Sequence, residues 1–152
     1  MSTDDIVALN QLAYRYAAAI DACDVARLQG VFHPAGRLRS YHPGAEEPFA
    51  DLVGHAQLAS IPNAMRGVYR HTTHMMTNHL VELHGDTATG EVLCAARHLT
   101  SDSVAPVSIN VIIRYLDRYV RQDGRWLIMD RQIRFLWSER HATADSGMGG
   151  GQ

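Results

Sequence analysis

The chain has 152 residues, 46% of them hydrophobic, which suits one ordinary domain with a real core. Its 14 basic and 16 acidic residues leave a formal charge of −2, with no basic stripe and no acidic tail, which argues against nucleic acid and against a strongly charged partner. Cys23 and Cys94 fit no metal or redox spacing, and no apolar run approaches the ~20 residues of a membrane helix. "MSTDDIVALNQ" lacks the basic start and apolar core of a signal peptide, so a cytoplasmic protein with two buried, reduced thiols is expected.

In chain order, "TDDIVALNQLAYRYAAAIDAC" reads as a helix, because Ile6, Leu9, Ala13, Tyr16 and Ile20 recur at spacings of three and four. Thr3 or Asp4 is expected to cap it. "DVARLQGVF" predicts a short second helix capped by Asp24, and "PAGRLRSYHPG" an extended segment closed by a turn. "ADLVGHAQLASIP" has helical spacing up to Pro62. After Arg70 the pattern changes to four β-rich runs, with "HGD" (84–86) and "QDG" (122–124) as hairpin turns and "TSDSVAP" as a longer loop. Helices followed by antiparallel strands predict an α+β fold with helices on one face of a curved sheet. The domain is expected to span 1–140, with a glycine-rich, unstructured tail over 141–152.

A curved sheet closed by helices encloses a pocket, so polar residues on apolar faces are the candidates for chemistry. Strict alternation places His74, Met76, Asn78 and Leu80 on one face of the first long strand, and His79 on the other. In the next strand His98 ends the stripe Val92, Cys94, Ala96. In the last strand Arg131 sits among Leu127, Met129, Ile133, Phe135 and Trp137, so it needs a partner or a cavity. On the first helix Tyr14, Ala17, Ala18 and Asp21 form a side stripe. Asp21 lies where the helix dipole disfavours an anion and so needs a donor. Each has a bland reading as well: a solvated helix-end acid, satisfied strand histidines, a structural ion pair. His71, His79 and His84 read as surface or turn residues. Asp21, His74 and His98 could also form a two-histidine, one-carboxylate metal set, but no spacing demands it, and no metal or cofactor is assigned.

The segments "AAAIDACD", "THMMTN", "GDTATGEVLCAARHL" and "YLDRYVRQDGRWLI" resemble the SnoaL-like branch of the nuclear-transport-factor-2-like superfamily, over about residues 4–138. Within it the chain is most similar to scytalone dehydratase, hexachlorocyclohexane dehydrochlorinase and bile-acid dehydratase. The resemblance implies a conical α+β barrel with a deep pocket and an Asp–His pair, here Asp21 and His74, with Asn78 completing an H-x-x-x-N motif. It implies a second catalytic histidine at His98. It also implies a Ser-x-Asn pair at "SIN" (108–110), which brings in Asn110, and a pocket role for Arg131.

These readings together predict a cofactor-independent lyase acting on a small hydrophobic, cyclic substrate. His74 is the general base oriented by Asp21, and His98 protonates the leaving group or polarises a carbonyl. Arg131, or Tyr14 and Asn110, are expected to stabilise developing negative charge, and Val31, Phe32, Met76, Leu80, Phe135 and Trp137 to enclose the substrate. An isomerase or cyclase with the same dyad is the first alternative. A non-catalytic subunit, like the β subunit of a ring-hydroxylating dioxygenase, is the second. Both faces of "VIIRYLDRY" are apolar, so one is expected to be covered in a homo-oligomer, a trimer in preference to a dimer.

Overall fold

The computed structural model describes residues 2–101 and 106–143, and its helices precede the long strands. α1 (Thr3–Asp21) and α2 (Val25–Val31) lead into β1 (Phe32–Tyr41) and a short β2 (Ala50–Val53). α3 (Gly54–Leu58) and α4 (Ser60–Val68) follow, then β3 (Tyr69–His84), β4 (Thr87–Thr100), β5 (Val107–Gln122) and β6 (Arg125–Ala142). Among the described residues no helix is long and apolar enough to cross a membrane.

Ser2, not Thr3 or Asp4, occupies the N-cap of α1, without a side-chain bond. Asp4 and Asp5 instead stand in the first turn, at the positive end of the dipole. Asp5 also accepts bonds from Arg121 and the Trp126 indole, which ties the start of α1 to the β5–β6 hairpin. Asp24 caps α2 as expected, accepting from the Arg27 backbone at 3.0 Å. Pro62 falls within the first turn of α4, where a missing N–H costs nothing, so the proline opens a helix where the sequence pattern suggested an end. The start of that same stretch is β2.

The six strands form one sheet in the order β2-β1-β6-β5-β4-β3, parallel between β1 and β6 and antiparallel elsewhere. It is curved but not closed, so the expected barrel is an open cone. α1 packs chiefly on edge strand β3, and α3 on β1. Leu9, Tyr16 and Ile20 of α1 meet Val92, Cys94 and Ala96 of β4, Ile113 and Tyr115 of β5 and Ile128 of β6 in the core. Asp123 and Gly124 both have positive φ, 50° and 73°, as a two-residue hairpin turn matched to strand twist requires. β6 runs two residues past the expected boundary at 140, with Ala142 paired to Val107. The tail from 144 lies outside the described residues.

Alternation along the strands is broken by bulges, and these decide which side chains face inward. In β3 the register shifts between Tyr69 and His71, and again between Met76 and His79. In β6 it shifts at Met129, between the pairs of Arg118 and Tyr119, and at Leu136, between those of Ile112 and Ile113.

Candidate active site

α1 ends in a motif that fixes its last residue. The Asp24 N–H reaches the Ala19 carbonyl and the Cys23 N–H the Ile20 carbonyl, each at 3.0 Å, with Cys23 left-handed at φ 49°. Asp21 is thereby held in the final turn, aimed at β3. Edge strand β3 has free backbone donors on that side, and the carboxylate uses one. The His74 N–H donates to Oδ2 at 2.9 Å, the Thr72 hydroxyl to Oδ1 at 2.8 Å, and the His74 ring to Oδ1 at 2.7 Å through Nδ1. Burial works to raise the Asp21 pKa, but the His74 ring and backbone bonds, the imidazole's charge and the Thr72 bond outweigh it and hold the carboxyl below its usual range. The unfavourable end of the helix dipole is thus offset by a set of donors.

A carboxylate can only accept, so His74 Nδ1 carries the hydrogen, and in the neutral imidazole Nε2 then holds the lone pair. The His74 side chain is 5% exposed. Diagonally across on β4 stands His98, 6% exposed, with the two Nε2 atoms 3.5 Å apart and the rings tilted by 55°. The bulge at Arg70 turns Tyr69 inward, and its ring stacks on His98 at 4.7 Å. Burial, then the neighbouring His74, push the His98 pKa down to about 4, so it is neutral at ordinary pH. Asp21 touches Nδ1 of His74 while His98 faces Nε2, so the three groups do not converge on one point. Among the described residues no cluster of three or more His, Cys, Asp or Glu is arranged to hold a metal. Part-exposed apolar side chains, among them Ile61, Met65, Met76, Ile109 and Phe135, pack against the core.

Several expected site residues lie elsewhere. The β3 bulge puts Asn78 and Leu80 on the outer face, Leu80 71% exposed, and turns His79 inward to Asn10 and Tyr119. The β6 bulge at Leu136 does the same to Trp137, which joins the outer row Met75, Ala95, Ile112 and lines a shallow hollow of about 190 Å³ there. Asn110 shares that outer hollow, since it pairs with Arg97 while Ile109 pairs with inward-facing His98. Tyr14 is 48% exposed on α1, and Ala18 beside it is also exposed. Val31 and Phe32 are sealed into the core, at 3% and 1% exposure. Of the expected enclosing residues, Met76 and Phe135 remain half-buried beside the interior. Cys94 is buried as expected, but Cys23 is half-exposed.

Arg131 is fully buried, and its partner is Asp117, gripped through Nε at 2.8 Å and Nη2 at 2.6 Å. Its guanidinium lies 4.1 Å from the Tyr16 ring and 4.4 Å from the Tyr115 ring, and Nη1, which makes no hydrogen bond, has those ring faces nearby. The bulge at Met129 takes Leu127 and Met129 out of its stripe and leaves Trp126 and Ile128 inside. Arg131 is therefore a structural ion pair within the cone and not an open substrate contact. Thr72, Tyr69 and Asp117 were missed from sequence. Thr72 carried a usable signal, two residues before His74 on the same face.

No curated protein matches the chain in sequence. Solved structures share its fold at low identity. A candidate aromatic ring hydroxylase from Novosphingobium aromaticivorans superposes with a TM-score of 0.80 at 23% identity, over 95% of this chain and 97% of that one. A candidate scytalone dehydratase from the same organism gives 0.75 at 17%, over 92% and 89%. The type-3 hexachlorocyclohexane dehydrochlorinase LinA of Novosphingobium barchaimii gives 0.77 at 17%, over 93% and 92%. The profile of the SnoaL-like domain matches residues 1–132, and the chain belongs to that family, within the NTF2-like superfamily.

Proposed function

We propose that the protein is a cofactor-independent lyase that removes a proton and a leaving group from neighbouring carbons of a small, hydrophobic, cyclic substrate. The observation that carries this reading is the 2.7 Å bond from His74 Nδ1 to an anchored Asp21, which turns Nε2 toward His98 on the inner face of the sheet. Membership of the SnoaL-like family and likeness to a dehydratase and a dehydrochlorinase support it. An imidazole removes a carbon-bound proton at useful rates only when a neighbouring carbonyl or halogen acidifies it, so cyclic β-hydroxyketones and halogenated cyclohexanes are the substrates to screen. Asp21 sets the tautomer and stabilises the imidazolium, and general-base catalysis of this kind contributes ~10²–10⁴-fold. Thr72 is a positioning residue, because its hydroxyl shares the oxygen that His74 uses.

The test is turnover of that panel by wild type and Asp21→Asn, with circular dichroism to verify the fold. A folded Asp21→Asn protein that has lost ~10²-fold or more in kcat supports the dyad. A variant as active as wild type sinks it. We further propose that the outer row of Met75, Ala95, Ile112 and Trp137 is covered by further copies of the chain.

A further inference from the structure

The dyad depends on one carboxylate at the end of a helix, so what fixes that helix along β3 bears on the chemistry. α1 meets β3 at two polar contacts. Asp21 takes the Thr72 hydroxyl and the His74 ring, and eleven residues earlier Asn10 Oδ1 lies 2.8 Å from Nδ1 of His79. His79 shares the inner face with His74 because the bulge after Met76 adds a residue between them. Rising numbers on the helix meet falling numbers on the strand, so the two run antiparallel. Between the contacts α1 advances about 16 Å, at about 1.5 Å per residue. On the neighbouring β4, Thr72 and His74 pair with His98 and Ala96, and His79 pairs with Val92. The contacts are thus four to six β4 residues apart, about 13–20 Å, and the helical span falls inside that range.

The His79 contact is also fastened from behind. Tyr119 has one hydroxyl hydrogen and gives it to Asp117 at 2.6 Å, so toward His79, 3.2 Å away, it accepts from Nε2–H. Asp117 grips Arg131, whose guanidinium lies 4.1 Å from the ring of Tyr16, six residues after Asn10 on α1. This chain of contacts therefore starts and ends on α1. Gly90 makes the room for it, since a Cβ there would stand 3.0 Å from His79 Nε2 and 2.7 Å from the Tyr119 ring. Burial lowers the His79 pKa, Asp117 works to raise it and Arg131 to lower it, and the result lies below the usual value. An amide meets either state of Nδ1, with its oxygen against an N–H or its NH2 against a bare nitrogen. Asn10 therefore keeps its hold as His79 titrates.

Resting on the lyase reading above, we propose that Asn10 and His79 are positioning residues for the dyad: their contact is the second of two clasps that set where α1 lies along β3, and so where Asp21 meets His74. Asp5 fastens the start of α1 to the β5–β6 hairpin, and Asn10 fastens the helix to the strand that carries the base. With both clasps closed, α1 cannot slide along β3 without breaking one of them. With Asn10 gone, the Asp21 carboxylate follows the helix.

The test is NMR of the histidine side chains in the full chain, which needs no substrate. The ring ¹⁵N shifts of His74 report the hydrogen that Nδ1 shares with Asp21 at 2.7 Å. Asn10→Ala should keep the helix, since alanine is the better helix former, and should move those shifts. Asn10→Asp restores an acceptor for His79 Nδ1–H and should return them to the wild-type values. His74 shifts unmoved in folded Asn10→Ala would overturn the proposal, whatever Tm that variant loses. So would a change that Asn10→Asp fails to restore, because the effect would then lie in the helix and not in the contact. Should Asn10→Ala fail to fold, His79→Phe opens the same clasp from the strand side, and unmoved His74 shifts there overturn the proposal equally. The lyase reading fails separately, by unchanged turnover in Asp21→Asn.

Discussion

Replacing Asp117 by alanine separates a structural Arg131 from a substrate-binding one. Both side chains are 0% exposed and share hydrogen bonds of 2.8 and 2.6 Å, and the Tyr119 hydroxyl donates to the same carboxylate at 2.6 Å. Asp117→Ala leaves a buried guanidinium without its carboxylate, beside the Tyr16 and Tyr115 ring faces. Breaking a buried pair in this way costs ~3–5 kcal/mol. In a domain of this size each kcal/mol moves Tm by about 2–4 °C, so a fall of roughly 6–20 °C is expected. Thermal and urea unfolding followed by circular dichroism, at fixed protein concentration, would measure it. The double variant Asp117→Leu/Arg131→Met should recover most of the loss, because an apolar pair of similar volume leaves no charge stranded. A loss below ~1 kcal/mol for Asp117→Ala would mean that the cation has other company, and the structural assignment of Arg131 would fail.

The His98 pKa of about 4 in the folded chain lies below its ordinary 6.5, so in that window the unfolded chain binds the extra proton. Its contribution, ~3 kcal/mol at most, is complete above about pH 6.5 and is lost as pH falls toward 4. His98→Gln should flatten the Tm–pH curve there, and an unchanged slope would contradict the neutral, buried assignment. Gly90→Ala places a Cβ 2.7 Å from the Tyr119 ring and 3.0 Å from His79 Nε2. That ring is pinned by its bond to Asp117, so ~1–3 kcal/mol should be lost in urea unfolding, and a neutral result would show that the ring yields. Light scattering should find wild type oligomeric and Trp137→Lys smaller. A monomeric wild type would remove the case for a covered outer face.

The elements were largely legible in the sequence, because helical spacing in α1 and β-rich runs after Arg70 are signals that each residue reinforces. The hairpin turns were legible for a similar reason: Asp123–Gly124 is one of few dipeptides that tolerate two positive φ values. Asp21 drew notice through its place at the wrong end of a dipole, and His98 by ending an apolar stripe that the structure keeps intact. Asp117 gave no such sign. In "YLDRYV" it looks like one charge of a solvated strand edge, and only the fold brings Arg131 beside it, fourteen residues on and one strand away.

Inward and outward assignments failed wherever a bulge intervened, and the reason is physical. Period-two reasoning carries each residue's face from its neighbour, so one extra residue inverts everything beyond it until the next bulge. No residue type marks the positions at Arg70, at Thr77–Asn78, at Met129 or at Leu136. A bulge bends its own strand, so these positions go with the curvature of the sheet, a property of the assembled layers. They account for the errors at Asn78, Leu80 and Trp137 together, and equally for what the site gained. Without the extra residue at Arg70, alternation would point Tyr69 outward, away from His98. Without the one after Met76, His79 would point outward, and the buried Tyr119–Asp117–Arg131 network would lose its link to Asn10. The irregularities that put Asn78, Leu80 and Trp137 on the outer face are thus of the same kind as those that bring Tyr69 onto His98 and His79 onto Tyr119.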